Sequence, residues 1–327
     1  MPRYIIIDND AGVDDAWAIF LLLKAEPRNQ VLALTCVNGN TSLENVCRNN
    51  LRLLAQLNER QIPVYKGAVS ALVPPEKESL SNFTSDIEFF HGRNGFGDVE
   101  LPKIDSLPQL QEENAINAMY RLVKQHPGEV SLVCCGPLTN IALAIRMYSD
   151  FTENVKDVFI MGGNYTAMGN KTRCAEFNFH GDPEAAYIVL QEMEGKTTLV
   201  PWETCVSAGV PQAWRENLGK NSGPCVSFLN IIEGPIMDRQ RRLGYKYLSA
   251  DQLLAAIFHD PNIIEETMCT HASVELTGSC TRGQIVIDHL NMNKHNTKIV
   301  KSINLQRYQD LITSLVESDR RGATGQP

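Results

Sequence analysis

Short apolar, β-branched runs alternate with longer stretches of helical periodicity through most of the chain, and this rhythm constrains the fold more than any other feature. The apolar runs fall at residues 4–7, 31–37, 130–134, 158–161 and 197–200; helical patterns follow the first four at 16–23, 43–57, 141–147 and 183–190. Runs that are hydrophobic throughout, rather than at every second residue, read as strands buried on both faces. Strands separated by helices pair in parallel, because each crossover returns the chain to the same end of the sheet. The expected fold class is therefore α/β: a single-domain, open, mainly parallel, doubly wound (Rossmann-like) sheet with helices on both faces. Residues 272–276 and 284–288, separated by a turn-rich stretch at 277–283, read as a peripheral hairpin.

No internal repeat and no linker rich in Pro, Gly and Ser divides the 327 residues, so 1–320 read as one domain and the polar 321–327 as a disordered tail. With 43% hydrophobic residues the chain can bury a large core. The formal net charge is −8, and no basic cluster is longer than Arg239, Arg241 and Arg242, which argues against nucleic acid or an anionic membrane as partner. The apolar opening runs straight into Asp8, too soon for a secretory signal, and no stretch approaches the ~20 apolar residues of a membrane span. The expected location is cytoplasmic. Nine Cys without a Cys-x-x-Cys pair read as reduced, buried thiols rather than a zinc site or a disulfide framework.

The first apolar run leads into Asp8-Asn9-Asp10-Ala11-Gly12-Val13-Asp14-Asp15-Ala16, four carboxylates within eight residues. Like charges at that density are costly unless water solvates them or a cation is held there. A solvated turn, with Asp14 and Asp15 favouring a helix N-terminus, is one reading. Placement at the carboxyl end of a strand in an open α/β sheet, where ligands bind, favours a hard-cation site. An EF-hand starting at Asp8 needs Glu at its twelfth position, and Ile19 stands there. A phosphatase of the haloacid dehalogenase type also opens with a strand and Asp-x-Asp, but has no use for a second Asp-Asp pair. Two loops, Ala68 to about Asp98 and Gly162 to Asp182, exceed the roughly dozen residues of ordinary connections and mark functional segments.

The acidic motif resembles the Asp-x-Asp-Pro-Gly-x-Asp-Asp-Ala opening of inosine-uridine type nucleoside hydrolases, with Ala11 in place of the usual Pro. Further family motifs follow in order: Val37-Asn38-Gly39-Asn40, His91-Gly92-Arg93-Asn94-Gly95-Phe96-Gly97 and Cys135-Gly136-Pro137-Leu138-Thr139-Asn140-Ile141-Ala142. Met161-Gly162-Gly163, Asn170, Ala175-Glu176-Phe177-Asn178 and Asp182-Pro183-Glu184-Ala185-Ala186 complete the series, and the resemblance runs from residue 4 to about 290.

What the resemblance implies is hydrolysis of the N-glycosidic bond of ribonucleosides to ribose and free nucleobase, in purine and pyrimidine salvage, by a Ca²⁺-bound water. It implies Asp10, Asp15, the backbone carbonyl of Cys135 and Asp251 as calcium ligands, with Asp10 also taking the proton from water. Asp14, Asn40, Asn170, Glu176 and Asn178 are implied to hydrogen-bond the sugar hydroxyls. Asp251 is chosen over Asp260 as the distal ligand because it opens a run of small apolar helical residues and keeps Asp260-Pro261 in the family's place. Ala250 then stands where many members carry a His that protonates the leaving base. His91 is the first candidate to act in its stead, with Arg93 and Tyr245 as others; stacking by Phe83, Phe90 or Trp202, or weak activity, are the alternatives. The expected partner is a small-molecule ribonucleoside, with no nucleic acid and no membrane, and the family's habit implies a homodimer or homotetramer. A catalytically silent nucleoside- or calcium-binding homologue and the phosphatase are the competing classes.

Overall fold

A computed structural model describes residues 3–74, 89–220 and 222–324 of the chain. Eleven strands occur among them: β1 (Tyr4–Asn9), β2 (Gln30–Cys36), β3 (Val64–Lys66), β4 (Leu110–Gln111), β5 (Val130–Cys134), β6 (Val155–Met161), β7 (Thr197–Val200), β8 (Ile264–Thr270), β9 (Ala272–Val274), β10 (Ile285–Ile287) and β11 (Thr297–Ile303). Nine form one sheet in the order β4-β3-β2-β1-β5-β6-β7-β11-β8, with β9 and β10 as a separate antiparallel pair. Pairings in the large sheet are parallel except that of β11 with the edge strand β8.

The pleat of β1 sends Ile5 and Ile7 into one core and Ile6 into the other, and all three are fully buried. Helices Val13–Lys24, Pro224–Arg242 and Ala250–His259 close the first face; Ala115–Gln125, Thr139–Met147 and Pro183–Glu192 close the second. Local chemistry starts several of these helices. Ser42 accepts from the Asn45 N–H at the helix Leu43–Gln56, and Asn114 accepts from the Ile116 N–H at Ala115–Gln125. Asp182 caps Pro183–Glu192, where Pro183 takes the position at which a missing N–H costs nothing.

Chain order advances from β1 to β4 on one side of the sheet and from β5 to β7 on the other. The reversal between β1 and β5 opens a crevice at their carboxyl ends, the usual ligand position in such sheets. Asp10 and Cys135 are the residues that leave those two strands, and the strands pair in register up to Asp8 and Cys134.

The doubly wound, mainly parallel sheet agrees with the sequence rhythm, and the expected hairpin is present in the shorter form of β9 and β10. β3 and β4 are too short to show a period, and β8 is a polar edge strand, so none of these is visible in the pattern. The chain boundary at 320 is corrected: the helix Leu305–Thr324 buries Tyr308, Ile312, Leu315 and Val316 and continues through residues 321–324. Residues 325–327 lie outside the described residues, as do 75–88 with Phe83. All nine Cys are free, but the expectation of burial holds for six; Cys174 is half-buried, and Cys269 and Cys280 are exposed. No helix among the described residues is long and apolar enough to cross a membrane.

Candidate active site

Asp10 is completely buried where β1 ends. The backbone N–H of Asn40 donates to its Oδ2 at 2.8 Å, and Asn40 Nδ2 donates to its Oδ1 at 2.9 Å. The same Nδ2 reaches Asp15 Oδ2 at 3.3 Å, an oxygen that also accepts from the Gly12 N–H at 2.7 Å. Gly39 makes this approach possible, since a Cβ there would lie 1.9 Å from Asp10 Oδ2. At Ala11 the chain turns with φ at 49°, a conformation closed to the proline of the resembled motif, whose ring holds φ near about −65°. Departure from the motif thus comes with a different local backbone path.

Burial, reinforced by the charge of Asp14 and opposed by the Asn40 donation, pushes the Asp10 carboxyl up to about 7. Asp15 and Asp251 are held well above the ordinary carboxylate range, by burial first and then by the neighbouring aspartates. Asp251 stands in the first turn of Ala250–His259 and is buried there. Asp260, the rejected alternative, ends that helix and pairs instead with Arg307 at 2.6 Å.

One ligand atom each from Asp15, Cys135 and Asp251 lie within 4.8 Å of one another. The Cys135 atom in this group is its thiol Sγ; its carbonyl oxygen accepts from Asn178 Nδ2 at 3.2 Å. Asp10 is outside the group and is joined to it through Asn40. Asp15 Oδ1 and Asp251 Oδ1 are buried with no hydrogen-bond donor. Buried carboxylate oxygens left without donors lack positive charge, and the hard oxygen donors present fit a divalent cation.

Beside this cluster opens a cavity of about 830 Å³, large enough for a nucleoside. All five expected sugar-binding residues, Asp14, Asn40, Asn170, Glu176 and Asn178, line it, with His91, Cys135 and Asp251. Several of them also serve the backbone. Glu176 caps the helix Phe177–Gly181: its Oε1 accepts from the Asn178 N–H at 2.9 Å, and its Oε2 from Gly163 at 2.8 Å and Phe179 at 3.1 Å. Burial outweighs these donors and pushes Glu176 up to about 7. Asn178 Nδ2 ties the Cys135 carbonyl to that of Met161, 3.1 Å away, bridging the ends of β5 and β6. Asn170 Oδ1 accepts from the Phe177 N–H at 2.8 Å.

His91 accepts from the Val13 N–H through Nδ1 at 3.3 Å, which leaves its single proton on Nε2, 3.5 Å from Asp14 Oδ1. Burial lowers its pKa, keeping the ring neutral. The imidazole therefore faces Asp14. Of the other proton-donor candidates Tyr245 lines the cavity and Arg93 does not; Phe90, Trp202 and Ala250 also line it.

Two groups have no named role in the sequence reading, which puts the pocket walls only broadly in the segments Ala68–Asp98 and Gly223–Ala250. Asp8 is buried, with its carboxyl pushed up to about 7 by burial against donation from Asn140 and Thr35. Asn140 Nδ2 donates to Asp8 Oδ1 at 2.7 Å and to the Cys36 carbonyl at 3.1 Å, while its Oδ1 accepts from the Ala68 N–H at 2.8 Å. One amide thus rivets the ends of β1 and β2 to the chain beyond β3. The second group lies at the far end of the cavity, where the helix Pro224–Arg242 contributes Glu233, Ile236, Arg239 and Gln240. The Asn140 motif was visible in the sequence, but no spacing signal marked that helix.

A doubly wound α/β sheet with an acidic, cation-fitting cluster beside a nucleoside-sized cavity at its switch point defines a class of small-molecule enzyme. The chain belongs to the inosine-uridine preferring nucleoside hydrolase family, which it matches over residues 5–310. It is 32% identical over 329 residues to the inosine-uridine preferring nucleoside hydrolase of Crithidia fasciculata, covering 97% of this chain and 98% of that one. Similarity to the probable uridine nucleosidase 1 of Oryza sativa subsp. japonica is 38% over 185 residues, 57% of this chain and 54% of the relative, so the chain spans about half the length of that curated protein. Among solved structures it resembles an inosine-guanosine nucleoside hydrolase with a TM-score of 0.85 and 26% identity, over 97% of this chain and 99% of the other. These relatives are nucleoside hydrolases, and the match along the chain sets the phosphatase alternative aside.

Proposed function

We propose that the chain hydrolyses the N-glycosidic bond of ribonucleosides to ribose and free nucleobase, with Asp10 as the base and one Ca²⁺ held by Asp10, Asp15, the Cys135 carbonyl and Asp251. The observation that carries this reading is the convergence of buried carboxylates, two with oxygens that lack donors, beside a cavity lined by every expected sugar-binding residue. A bound divalent cation would polarise water and the ribose hydroxyls, supplying a nucleophile at neutral pH.

The chain's own residues do the rest. Asp10, aimed by two Asn40 donors beside the cavity, is placed to accept a proton from water. Asp14, Asn170, Glu176 and Asn178 offer polar atoms to the sugar, and the Asp14 charge opposes the positive charge that builds on the ring as the bond breaks. Phe90 and Trp202 provide aromatic faces for the base. His91 lines the cavity with Nε2 3.5 Å from Asp14 and remains the first candidate to protonate the departing base, with Tyr245, or solvent reaching a stacked base, as the others. A cytoplasmic homodimer or homotetramer acting on a small-molecule ribonucleoside completes the reading, on the strength of the family resemblance.

The test is incubation with inosine, uridine and adenosine in the presence of Ca²⁺, followed by detection of free ribose as a reducing sugar. Ribose release is expected. Calcium-dependent thermal stabilisation with no ribose from any of them would identify a silent binding protein instead.

A further inference from the structure

Three of the nine Cys are not buried, Cys174, Cys269 and Cys280, and the thiol of the first touches the main chain of the last. Cys174 lies just before the Ala175-Glu176 stretch of the loop that follows β6, and Cys280 lies in the turn between β9 and β10. Cys174 Sγ sits 2.7 Å from the Cys280 carbonyl oxygen. The two segments are fastened together around this contact. Asn164 Nδ2 donates to the Cys174 carbonyl at 2.7 Å, and Asn164 Oδ1 accepts from the Ile285 N–H at 3.2 Å. Gly283 packs so closely that a Cβ would fall 2.9 Å from His180 Cα and 3.3 Å from Ala175 Cβ. A disulfide needs Cα atoms within about 7 Å and Cβ atoms that face each other, and the contact of the Cys174 thiol with the Cys280 main chain brings the two residues close to that span.

We infer that Cys174 and Cys280 form a thiol–disulfide modification site that couples an external disulfide oxidant to the sugar-binding loop. The exposed Cys280 thiol attacks the S–S bond of a small disulfide such as oxidised glutathione, releasing one glutathione thiol and leaving a mixed disulfide. Cys174 Sγ then attacks Cys280 Sγ and expels the second glutathione. Two protein S–H bonds and one glutathione S–S bond are replaced by one protein S–S bond and two glutathione S–H bonds, with two electrons passing to glutathione.

The loop transmits the change. The Ala175 carbonyl accepts from the N–H groups of Asn170, Lys171 and Thr172 at 3.3, 3.2 and 3.2 Å. Cys174 is therefore one residue from the knot that shapes Asn170 and Glu176. Bond formation requires its sulfur to leave the carbonyl and close to about 2.05 Å from Cys280 Sγ, drawing the knot towards the hairpin. The effect on ribose binding rests on the proposed hydrolysis; formation of the bond does not.

The full chain, reduced and then incubated with oxidised glutathione, is blocked with N-ethylmaleimide, digested without reductant and mapped by mass spectrometry, with ribonucleoside kinetics in parallel. The expected result is a Cys174–Cys280 linked peptide lacking two hydrogens, with KM raised at least about threefold and restored by dithiothreitol. Cys280→Ser should keep the KM of the reduced protein and lose both responses. Glutathione adducts alone, or links among other Cys, would overturn the site, and a Cys174–Cys280 link with unchanged KM would overturn its coupling to the loop. Absence of hydrolysis in the reduced protein would count against the hydrolase reading, while the peptide map still decides the site.

Discussion

The side-chain amide of Asn40 stands between Asp10 and Asp15, 2.9 Å from Oδ1 of the first and 3.3 Å from Oδ2 of the second. An Asn expected to hold the sugar is thus already engaged in aiming two carboxylates. Asn40→Ala removes that amide and keeps the backbone N–H on Asp10. Calcium affinity should fall by about 10–100-fold, the usual loss when a group orienting metal ligands is deleted. Isothermal titration of the folded variant measures it, and unchanged affinity would deny Asn40 this role.

Asp10→Asn keeps the shape and one of the two Asn40 contacts, since its amide nitrogen cannot accept the other, and removes the proton acceptor. Turnover should drop by about 10²–10⁴-fold, the range typical of a general base. Circular dichroism should show an unchanged fold, because the substitution removes charge from a crowded, buried cluster. Parental activity in this variant would place the base elsewhere.

The raised carboxyls set a pH dependence. Asp10 and Glu176 are pushed up to about 7 in the folded chain, while an unfolded carboxyl ionises near about 4. The folded state therefore holds extra protons between these values, so this contribution to stability is complete below about pH 4 and is lost as pH rises through about 7. Metal-free protein should melt at lower temperature at pH 8 than at pH 5.5. Ca²⁺ takes ionised carboxylates, so the stabilisation it confers should be larger at pH 8. Melting curves with chelator and with Ca²⁺ give both slopes, and a calcium effect independent of pH would contradict the ligand set.

Asp14, Asn40, Asn170, Glu176 and Asn178 line the cavity, and in the proposed reaction they meet the sugar hydroxyls. A sugar without its 2′ hydroxyl would leave buried polar atoms unmatched, so inosine should be preferred over 2′-deoxyinosine by about 10⁴-fold in kcat/KM. Comparable values would remove these residues from sugar recognition.

Under the far end of the cavity lies a buried ion pair. Arg215 donates to Glu233 Oε2 through Nε at 2.9 Å and Nη2 at 2.6 Å, and the Tyr247 hydroxyl donates to Oε1 at 2.8 Å. Glu233→Ala leaves Arg215 unpaired in the interior and should cost about 3–5 kcal/mol. Denaturant unfolding checks this, and the double variant Arg215→Met, Glu233→Leu should recover most of the loss.

Much of the fold was legible because neighbours in sequence encode it. The central strands and their helices repeat apolar residues with the periods of their own geometry, and the acidic and glycine-bearing motifs sit at strand ends that the same rhythm locates. The helix Pro224–Arg242 was not legible as a helix, since Gly234 and Pro235 interrupt its pattern, yet packing holds it and it walls the far end of the cavity.

From its residues alone the chain determined a parallel sheet, one acidic mouth and the set of polar groups gathered there. Only the tertiary structure decided how those groups divide their work: Asn40 turned to the aspartates, Glu176 to a helix end, His91 to Asp14, and Cys174 against Cys280. Periodicity is a property of nearby residues, whereas the partner of an amide, carboxylate or thiol is set by distant segments that meet only when the helices pack on the sheet.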